Sequence, residues 1–228
     1  KFGNKIFYER LIMILNKDNL NIDHFTNAPK VVKERHACLK ESAKHVDSNL
    51  EDILEFGVFR GSTMKTLTQC FPNERIYGFD SFEGLPETWY ISEKEVETGQ
   101  SIHPKGHFGN VKIPRVGNNV TLVKGFFEES LPEFLEKHNM KRIKFLHIDS
   151  DLYSSAKTVL TLLNDYIVSG TVIAFDEMYP WNPPEKAWYE LWEEGEWKAL
   201  KEWTEEFDRQ FQVIVRSERE QCGIKVVK

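Results

Sequence analysis

Apolar runs alternate with helically spaced segments along most of the chain. Five runs bounded by Gly, Asp or Asn predict successive strands, at residues 52–59, 75–82, 119–127, 142–149 and 170–177. Helical spacing of apolar residues precedes or separates them, at residues 31–46, 61–71, 130–138 and 154–167. Two last runs, 211–217 and 222–228, are spaced like a closing hairpin. This alternation is typical of βαβ units, so it predicts an α/β fold with a doubly wound, mostly parallel sheet.

Two segments interrupt the alternation. Residues 83–118 are rich in Gly and Pro and show little periodicity, which is typical of a lid or binding loop, or of a purely structural excursion. Residues 179–208 are rich in aromatic side chains. Trp188 and Trp192 have helical spacing there, which predicts a helix packed on the sheet or on a partner subunit. Trp181 lies outside that helix and is a candidate for ligand contact.

Composition narrows the class of protein. The 228 residues are enough for a single α/β domain spanning 1–228, with residues 1–50 as an N-terminal helical cap. The formal charge of −6 disfavours nucleic acid or an anionic membrane as partner. The three cysteines lack metal-type spacing and favour reduced thiols in the cytoplasm. The apolar runs are too short for a membrane span, and we expect no secretory signal.

Glycines and acids follow the first two predicted strands. Gly57 and Gly61 stand between the first strand and the next helix, where the backbone can approach a ligand. Asp80 ends the second strand and is placed to accept hydrogen bonds from ribose hydroxyls. These features predict a nucleoside-containing cofactor, either a nicotinamide dinucleotide or S-adenosylmethionine. The loop lacks a third glycine for a pyrophosphate, and Glu55 suits an ammonium group, so S-adenosylmethionine is favoured.

Four carboxylates stand at or just beyond the ends of the fourth and fifth predicted strands, which we expect to be neighbours. Asp149, Asp176 and Glu177 are oxygen ligands of the kind that a divalent cation such as Mg²⁺ prefers. Asp151 faces the same cleft and is placed to take a proton from a hydroxyl. The alternative is that these acids cap the next helix or pair separately with Lys or Arg.

Several segments resemble a known family in their order along the chain. They are LEFGVFRGST, IYGFDSFEGLP, NVTLVKGFFEESLPEFL, FLHIDSDLYSS and VIAFDEMY. They resemble the macrocin and mycinamicin type of sugar O-methyltransferases over roughly residues 50–180. The resemblance implies a class I methyltransferase fold with a Rossmann-like, seven-stranded sheet and one antiparallel strand. It also implies S-adenosylmethionine as donor, a magnesium-type ion and a deoxysugar hydroxyl as acceptor.

The resemblance also implies roles for individual residues. Asp149 and Asp151 are the expected catalytic pair, and Asp149, Asp176 and Glu177 the expected metal ligands. The family commonly has Asp-Asp after the fifth strand, so Glu177 is one methylene longer. The expected donor-binding residues are Glu55, Gly57, Phe59, Gly61, Ser62, Asp80, Ser81, Gly125, Phe126 and Asp149, with Gly125 and Phe126 beside the adenine. The expected acceptor contacts are Trp89, Tyr153, Tyr179 and Trp181.

Other functions compete with this interpretation. A methyltransferase for catechols or other small phenols would use the same acids with a flatter acceptor pocket. An NAD-type oxidoreductase or a non-catalytic cofactor-binding module are more distant alternatives. His147 is interpreted as a structural histidine, whereas His103 and His107 could orient the acceptor. A homodimer, or a place within a larger glycan-modifying chain, is expected for the assembly.

Overall fold

The fold is built around one mixed sheet. The computed structural model describes residues 13–179 and 188–228, and within them the sheet has eight strands. The strands are β1 (Val31–Val32), β2 (Asp52–Phe56), β3 (Ile76–Asp80), β4 (Val120–Lys124), β5 (Ile143–Ile148), β6 (Val172–Phe175), β7 (Phe211–Ser217) and β8 (Cys222–Val226). Their order is β1-β7-β8-β6-β5-β2-β3-β4. β8 runs antiparallel to β6 and β7, and the other pairs are parallel.

Helices cover both faces of this sheet. They are α1 (Ile22–Thr26), α2 (Arg35–Ser42), α3 (Ser62–Cys70), α4 (Glu93–Thr98), α5 (Phe127–Lys137), α6 (Tyr153–Leu162) and α7 (Glu196–Glu206). Successive strand residues point to opposite faces. Leu54 and Leu146 therefore pack in one apolar core with α5, α6 and α7, while Ile53 and Phe145 pack in a second core with α2 and α3. The predicted doubly wound, mostly parallel sheet with one antiparallel strand is confirmed.

The strand count differs from the prediction of seven. The extra strand is β1, in which Val31 and Val32 pair with the outer edge of β7. These residues belong to the predicted helix 31–46, but α2 begins only at Arg35 because Glu34 is extended and caps the helix. The Glu34 carboxylate accepts from the backbone N–H groups of His36 and Ala37. An N-cap of this kind marks a helix start more sharply than apolar spacing does.

The segment 83–118 is packed against the rest of the fold. It contains α4, and Trp89 forms an isolated bridge with His103. Its buried residues Leu85, Trp89 and Ile91 form a small apolar cluster with Leu152 and Tyr189. The segment therefore contributes one wall of the region beyond the strand ends.

The aromatic segment 179–208 is not a single helix in its described part. Trp188 lies outside any helix, and Trp192 begins one 3₁₀ turn that ends before Gly195. The helical stripe predicted at Trp188 and Trp192 is thus wrong. The buried face belongs instead to α7, where Trp197 and Trp203 pack in the core. No helix in the described ranges has the length and apolar character needed to cross a bilayer.

Candidate active site

Four strand ends meet at one edge of the sheet, because β2, β3, β5 and β6 are parallel neighbours. A cavity of about 450 Å³ opens at this edge. The loops after these strands line it, together with parts of segment 83–118, the start of α2 and the β7–β8 turn. Ligands of doubly wound sheets bind beyond the carboxyl ends of the strands. This cavity is therefore the candidate active site.

The loop after β2 requires glycine at its first position. Gly57 has φ +97°, and a Cβ atom there would lie 1.7 Å from the carbonyl oxygen of Asp149. The backbone of β2 thus passes directly against the end of β5, where the acidic residues begin. Gly61 has φ +78° at the start of α3, and Pro114 of segment 83–118 packs beside it. Gly57 is therefore needed for close backbone packing, whereas Gly61 is favoured by its positive φ beside the Pro114 side chain.

Asp80 connects the end of β3 to the loop 57–61 between β2 and α3, which is called the glycine loop below. One carboxylate oxygen accepts from the N–H groups of Val58, at 2.9 Å, and Phe59, at 2.7 Å. The other accepts from the N–H of Phe82 at 2.6 Å. Asp80 also lines the cavity. It therefore fixes the shape of the loop while facing the space where a ligand would lie.

Most of the predicted donor-binding residues are brought together here. The cavity is lined by Gly57, Phe59, Ser62, Asp80, Ser81, Phe126 and Asp149. Gly61 and Gly125 stand next to lining residues without lining the cavity themselves. Glu55 is not brought into the cavity: it is fully buried within the sheet. There, Nδ1 of His147 is hydrogen-bonded to its carboxylate at 2.9 Å.

The four predicted acids converge as expected. The guanidinium of Arg35, which the sequence did not indicate, lies among them. Carboxylate oxygens of Asp149, Asp151 and Glu177 lie within 4.8 Å of one another. Nη1 of Arg35 donates to Asp149 at 3.2 Å and to Asp176 at 3.0 Å. The group formed by these four carboxylates is called the acidic rim below.

Burial close to other negative charges raises the pKa of three acids of the rim. Desolvation, followed by the nearby charge of Asp176, raises the pKa of Asp151 to about 7. The same two causes hold the pKa of Asp149 and that of Glu177 well above their usual range. Burial alone would lower the pKa of Arg35, but the charges of Asp176 and Asp149 outweigh it and raise that pKa. The raised pKa values follow because full ionisation of the four carboxylates would place more negative charge at the rim than one guanidinium balances.

The acidic rim is suited to a hard divalent cation. All of its donor atoms are carboxylate oxygens, the ligands that Mg²⁺ and Ca²⁺ prefer. Oδ1 of Asp176 and Oε2 of Glu177 are buried and accept no hydrogen bond from any residue in the described ranges. Buried acceptors without a partner are costly, and an ion would satisfy them. The residues present therefore fit the predicted metal.

The predicted acceptor residues are only partly gathered at the cavity. Trp89 lines it. Tyr153, the first residue of α6, instead points to α7, where its hydroxyl donates to Glu202 at 2.6 Å. Tyr179 is buried, and its hydroxyl donates to the carbonyl of Ser217. Trp181 lies outside the described residues.

Sequence reasoning missed several residues of the cavity. Trp188 and Phe108 line it beside Trp89. His103, which was named from the sequence as a residue that could orient the acceptor, also lines the cavity and contacts all three rings. The aromatic content of both irregular segments was the available signal for them. Arg35 had no such signal, because it lies more than 100 residues before the acids in the sequence, at the start of a different helix. Glu196, which does not line the cavity itself, was also missed: it is fully buried at the start of α7 and accepts from the N–H of Glu177 at 3.0 Å.

Comparison with known families decides the classification. The family model of macrocin O-methyltransferase (TylF) matches residues 28–206, which is more than half of the chain. The chain belongs to this family. As a member of the macrocin O-methyltransferase family it is an O-methyltransferase, and the resemblance noted in the sequence is confirmed. None of the curated proteins compared with the chain matches it significantly.

Solved structures support the fold of this family member. The calicheamicin methyltransferase CalS11 is 22% identical over 83% of this chain and 76% of its own, with a TM-score of 0.59. The O-methyltransferase NovP is 20% identical over 85% of this chain and 78% of its own, with a TM-score of 0.53. At these identities the likeness concerns the fold, and it agrees with the class I methyltransferase sheet described above.

Proposed function

We propose that this protein transfers a methyl group from S-adenosylmethionine to a sugar hydroxyl, with a divalent cation bound at the acidic rim. The observation that carries the proposal is the meeting of the glycine loop and the acidic rim in one cavity. Family membership supports the O-methyl transfer. The similar protein CalS11, a calicheamicin methyltransferase that acts as a TDP-rhamnose 3'-O-methyltransferase, supports a deoxysugar acceptor.

The donor is proposed to lie along the glycine loop. Gly57 and Ser62 offer backbone and hydroxyl groups there. A carboxylate has about four acceptor positions, and Asp80 uses three of them for the loop. One position is left for a ribose hydroxyl. S-adenosylmethionine, when bound, supplies a methyl group activated by its sulfonium.

The cation is proposed to be held by Asp149, Asp176 and Glu177. Their oxygens are buried or nearly so, and two of them lack a partner among the described residues. A bound divalent ion would make an acceptor hydroxyl more acidic. Asp151 shares the cavity with these ligands and is the proposed base that takes the hydroxyl proton.

The acceptor is proposed to pack on an aromatic wall formed by Trp89, Trp188 and Phe108. Trp188 meets Trp89 edge to face at 5.3 Å and is 37% exposed, so part of its ring is free to contact a ligand. Aromatic rings offer large apolar contact area at low entropic cost, which suits the C–H faces of a deoxysugar. A flat phenol would also stack on this wall, so a catechol or phenol is the alternative acceptor.

Methyl transfer from isotopically labelled S-adenosylmethionine, detected by mass spectrometry, tests the proposal. We expect transfer to nucleotide-linked deoxysugars in the presence of Mg²⁺, and little transfer to catechols. Asp151→Asn should lower kcat about 10²- to 10⁴-fold. Asp165→Asn, at an exposed acid just beyond the other end of α6, is the matched control and should leave kcat unchanged.

Three results would count against this assignment. Transfer to phenols alone would replace the sugar by the alternative acceptor. Full activity after chelation would remove the cation from the mechanism, and an unchanged kcat in Asp151→Asn would remove the base. The homodimer, the larger glycan-modifying chain and the cytoplasmic location remain predictions from the sequence.

A further inference from the structure

Arg35 reaches the acidic rim from outside the strand ends. It is the first residue of α2, and Glu34 fixes the start of that helix by accepting from two backbone N–H groups. The guanidinium extends over β5 and β6, where Nη1 contacts Asp149 and Asp176 at 3.2 and 3.0 Å. The Arg35 side chain is 36% exposed, whereas that of Asp176 is 5% exposed. One side of the guanidinium therefore faces the cavity and solvent, and the other faces the rim.

The rim still has free acceptor atoms when Arg35 is in place. Asp176 gives one oxygen to Arg35, while its Oδ1 is buried and unpaired within the described residues. Oε2 of Glu177 is also buried and unpaired within the described residues. Nη1 of Arg35 thus balances part of the negative charge of the rim but leaves some of its carboxylate oxygens without a hydrogen-bond donor. A small ion with several oxygen ligands would satisfy these atoms more completely.

We infer that Arg35 is an internal counter-ion that occupies the cation position of the rim, so that a divalent ion binds only as the guanidinium leaves Asp149 and Asp176. This inference rests on the cation site of the proposed function. Metal–oxygen distances of about 2.0–2.6 Å require direct contact with the carboxylates. The guanidinium occupies one oxygen of each of two proposed ligands, Oδ2 of Asp149 and Oδ2 of Asp176, so it blocks their contact with the ion and repels it. Arg35 is in this sense a positioning residue: it keeps the rim assembled before the ion arrives.

Competition of this kind predicts how cation affinity responds to substitution. Arg35→Gln removes the positive group that competes with the ion for the cation position of the rim. The variant should therefore bind Mn²⁺ at least about tenfold more tightly than the unchanged protein. Arg60→Gln is the matched control. Arg60 also lines the cavity, but its guanidinium lies over the Phe59 ring at 4.9 Å. The control loses the same charge from the same cavity and should change affinity less than about threefold, because screened charges at longer range interact weakly.

Isothermal titration with Mn²⁺ and Mg²⁺ measures these affinities, and S-adenosylhomocysteine binding verifies that each variant is folded. Tight binding by Arg35→Gln supports the inference, including the case in which the unchanged protein binds no ion. Equal or weaker binding by Arg35→Gln, or binding by neither protein, would overturn it. If Arg35→Gln binds the ion tightly but no form of the protein methylates a sugar, the counter-ion inference stands and the proposed function fails.

A second measurement does not depend on the Arg35→Gln variant. In the unchanged protein, the guanidinium N–H resonances of Arg35, assigned by their loss in Arg35→Lys, should shift when Mg²⁺ is added. Resonances that do not move at saturating Mg²⁺ would show that the ion and Arg35 do not compete.

Discussion

Replacement of Gly57 by Ala tests the packing of the glycine loop against the acidic rim. The added Cβ would lie 1.7 Å from the Asp149 carbonyl oxygen, so the two backbones must separate by more than 1 Å to reach an ordinary contact. The Asp149 backbone is held in place, because its N–H donates to Phe56 and the neighbouring Asp176 N–H donates to Ile148, at 2.9 and 3.0 Å. Separation therefore strains or breaks hydrogen bonds at the ends of β2, β5 and β6.

The magnitude follows from two contributions. A positive φ costs a non-glycine residue about 1–2 kcal/mol, and loss of two backbone hydrogen bonds with partial burial of their groups costs about 2–3 kcal/mol. We expect Gly57→Ala to lower the free energy of unfolding by about 3–5 kcal/mol. For a chain of this size each kcal/mol lowers Tm by about 2–4 °C. Gly99→Ala is the matched control, because Gly99 has φ +66° with nothing within 4 Å of its Cβ position. It should lose about 1 kcal/mol.

Urea denaturation followed by tryptophan fluorescence and far-UV circular dichroism measures both variants, and two-state behaviour is checked by the agreement of the two probes. Methyl transfer is measured in parallel, since displacement of Asp149 should lower activity in any Gly57→Ala protein that remains folded. If the two variants lose the same free energy and both keep full activity, the close approach of β2 to the end of β5 is refuted.

Three further predictions concern single side chains. Asp80→Ala leaves three loop N–H groups without their acceptor, so it should cost about 2–4 kcal/mol of stability and weaken S-adenosylhomocysteine binding in calorimetry; unchanged binding would argue against the proposed donor site. Trp188→Ala should raise the acceptor KM about 3- to 10-fold by loss of ring contacts while the donor KM stays the same, and a change in the donor KM alone would refute its place in the acceptor wall. Folding raises the pKa of Glu196 through burial, so the folded state binds more protons there and stability falls as pH rises above the ordinary value near 4.5. Glu196→Gln should therefore stabilise the metal-free protein by about 1–3 kcal/mol near pH 8, with a gain that vanishes towards pH 4 in thermal denaturation; a gain independent of pH would contradict this reasoning.

Much of the fold was readable in the order of residues along the chain. The run predicted at 142–149 contains β5, and that predicted at 52–59 contains β2, because a buried strand and its bounding polar residues are neighbours in sequence. Asp149, Asp176 and Glu177 end the runs at 142–149 and 170–177, and Asp151 follows the first of these runs closely. Their convergence was predictable because parallel neighbouring strands end at the same edge of a sheet.

Long-range packing determined the remaining features. Arg35 meets Asp149 and Asp176 across 114 and 141 residues of chain, and no local pattern indicates such a contact. β1 has two residues, too few for a periodic signal, and it exists because the edge of β7 pairs with it. Tyr153 and Tyr179 follow the strands that carry the acids, but the orientation of each side chain is set by the helix or core around it. Chain order thus specified which strands end in acids, whereas the direction of each side chain and the identity of the neutralising cation depended on how distant elements pack together.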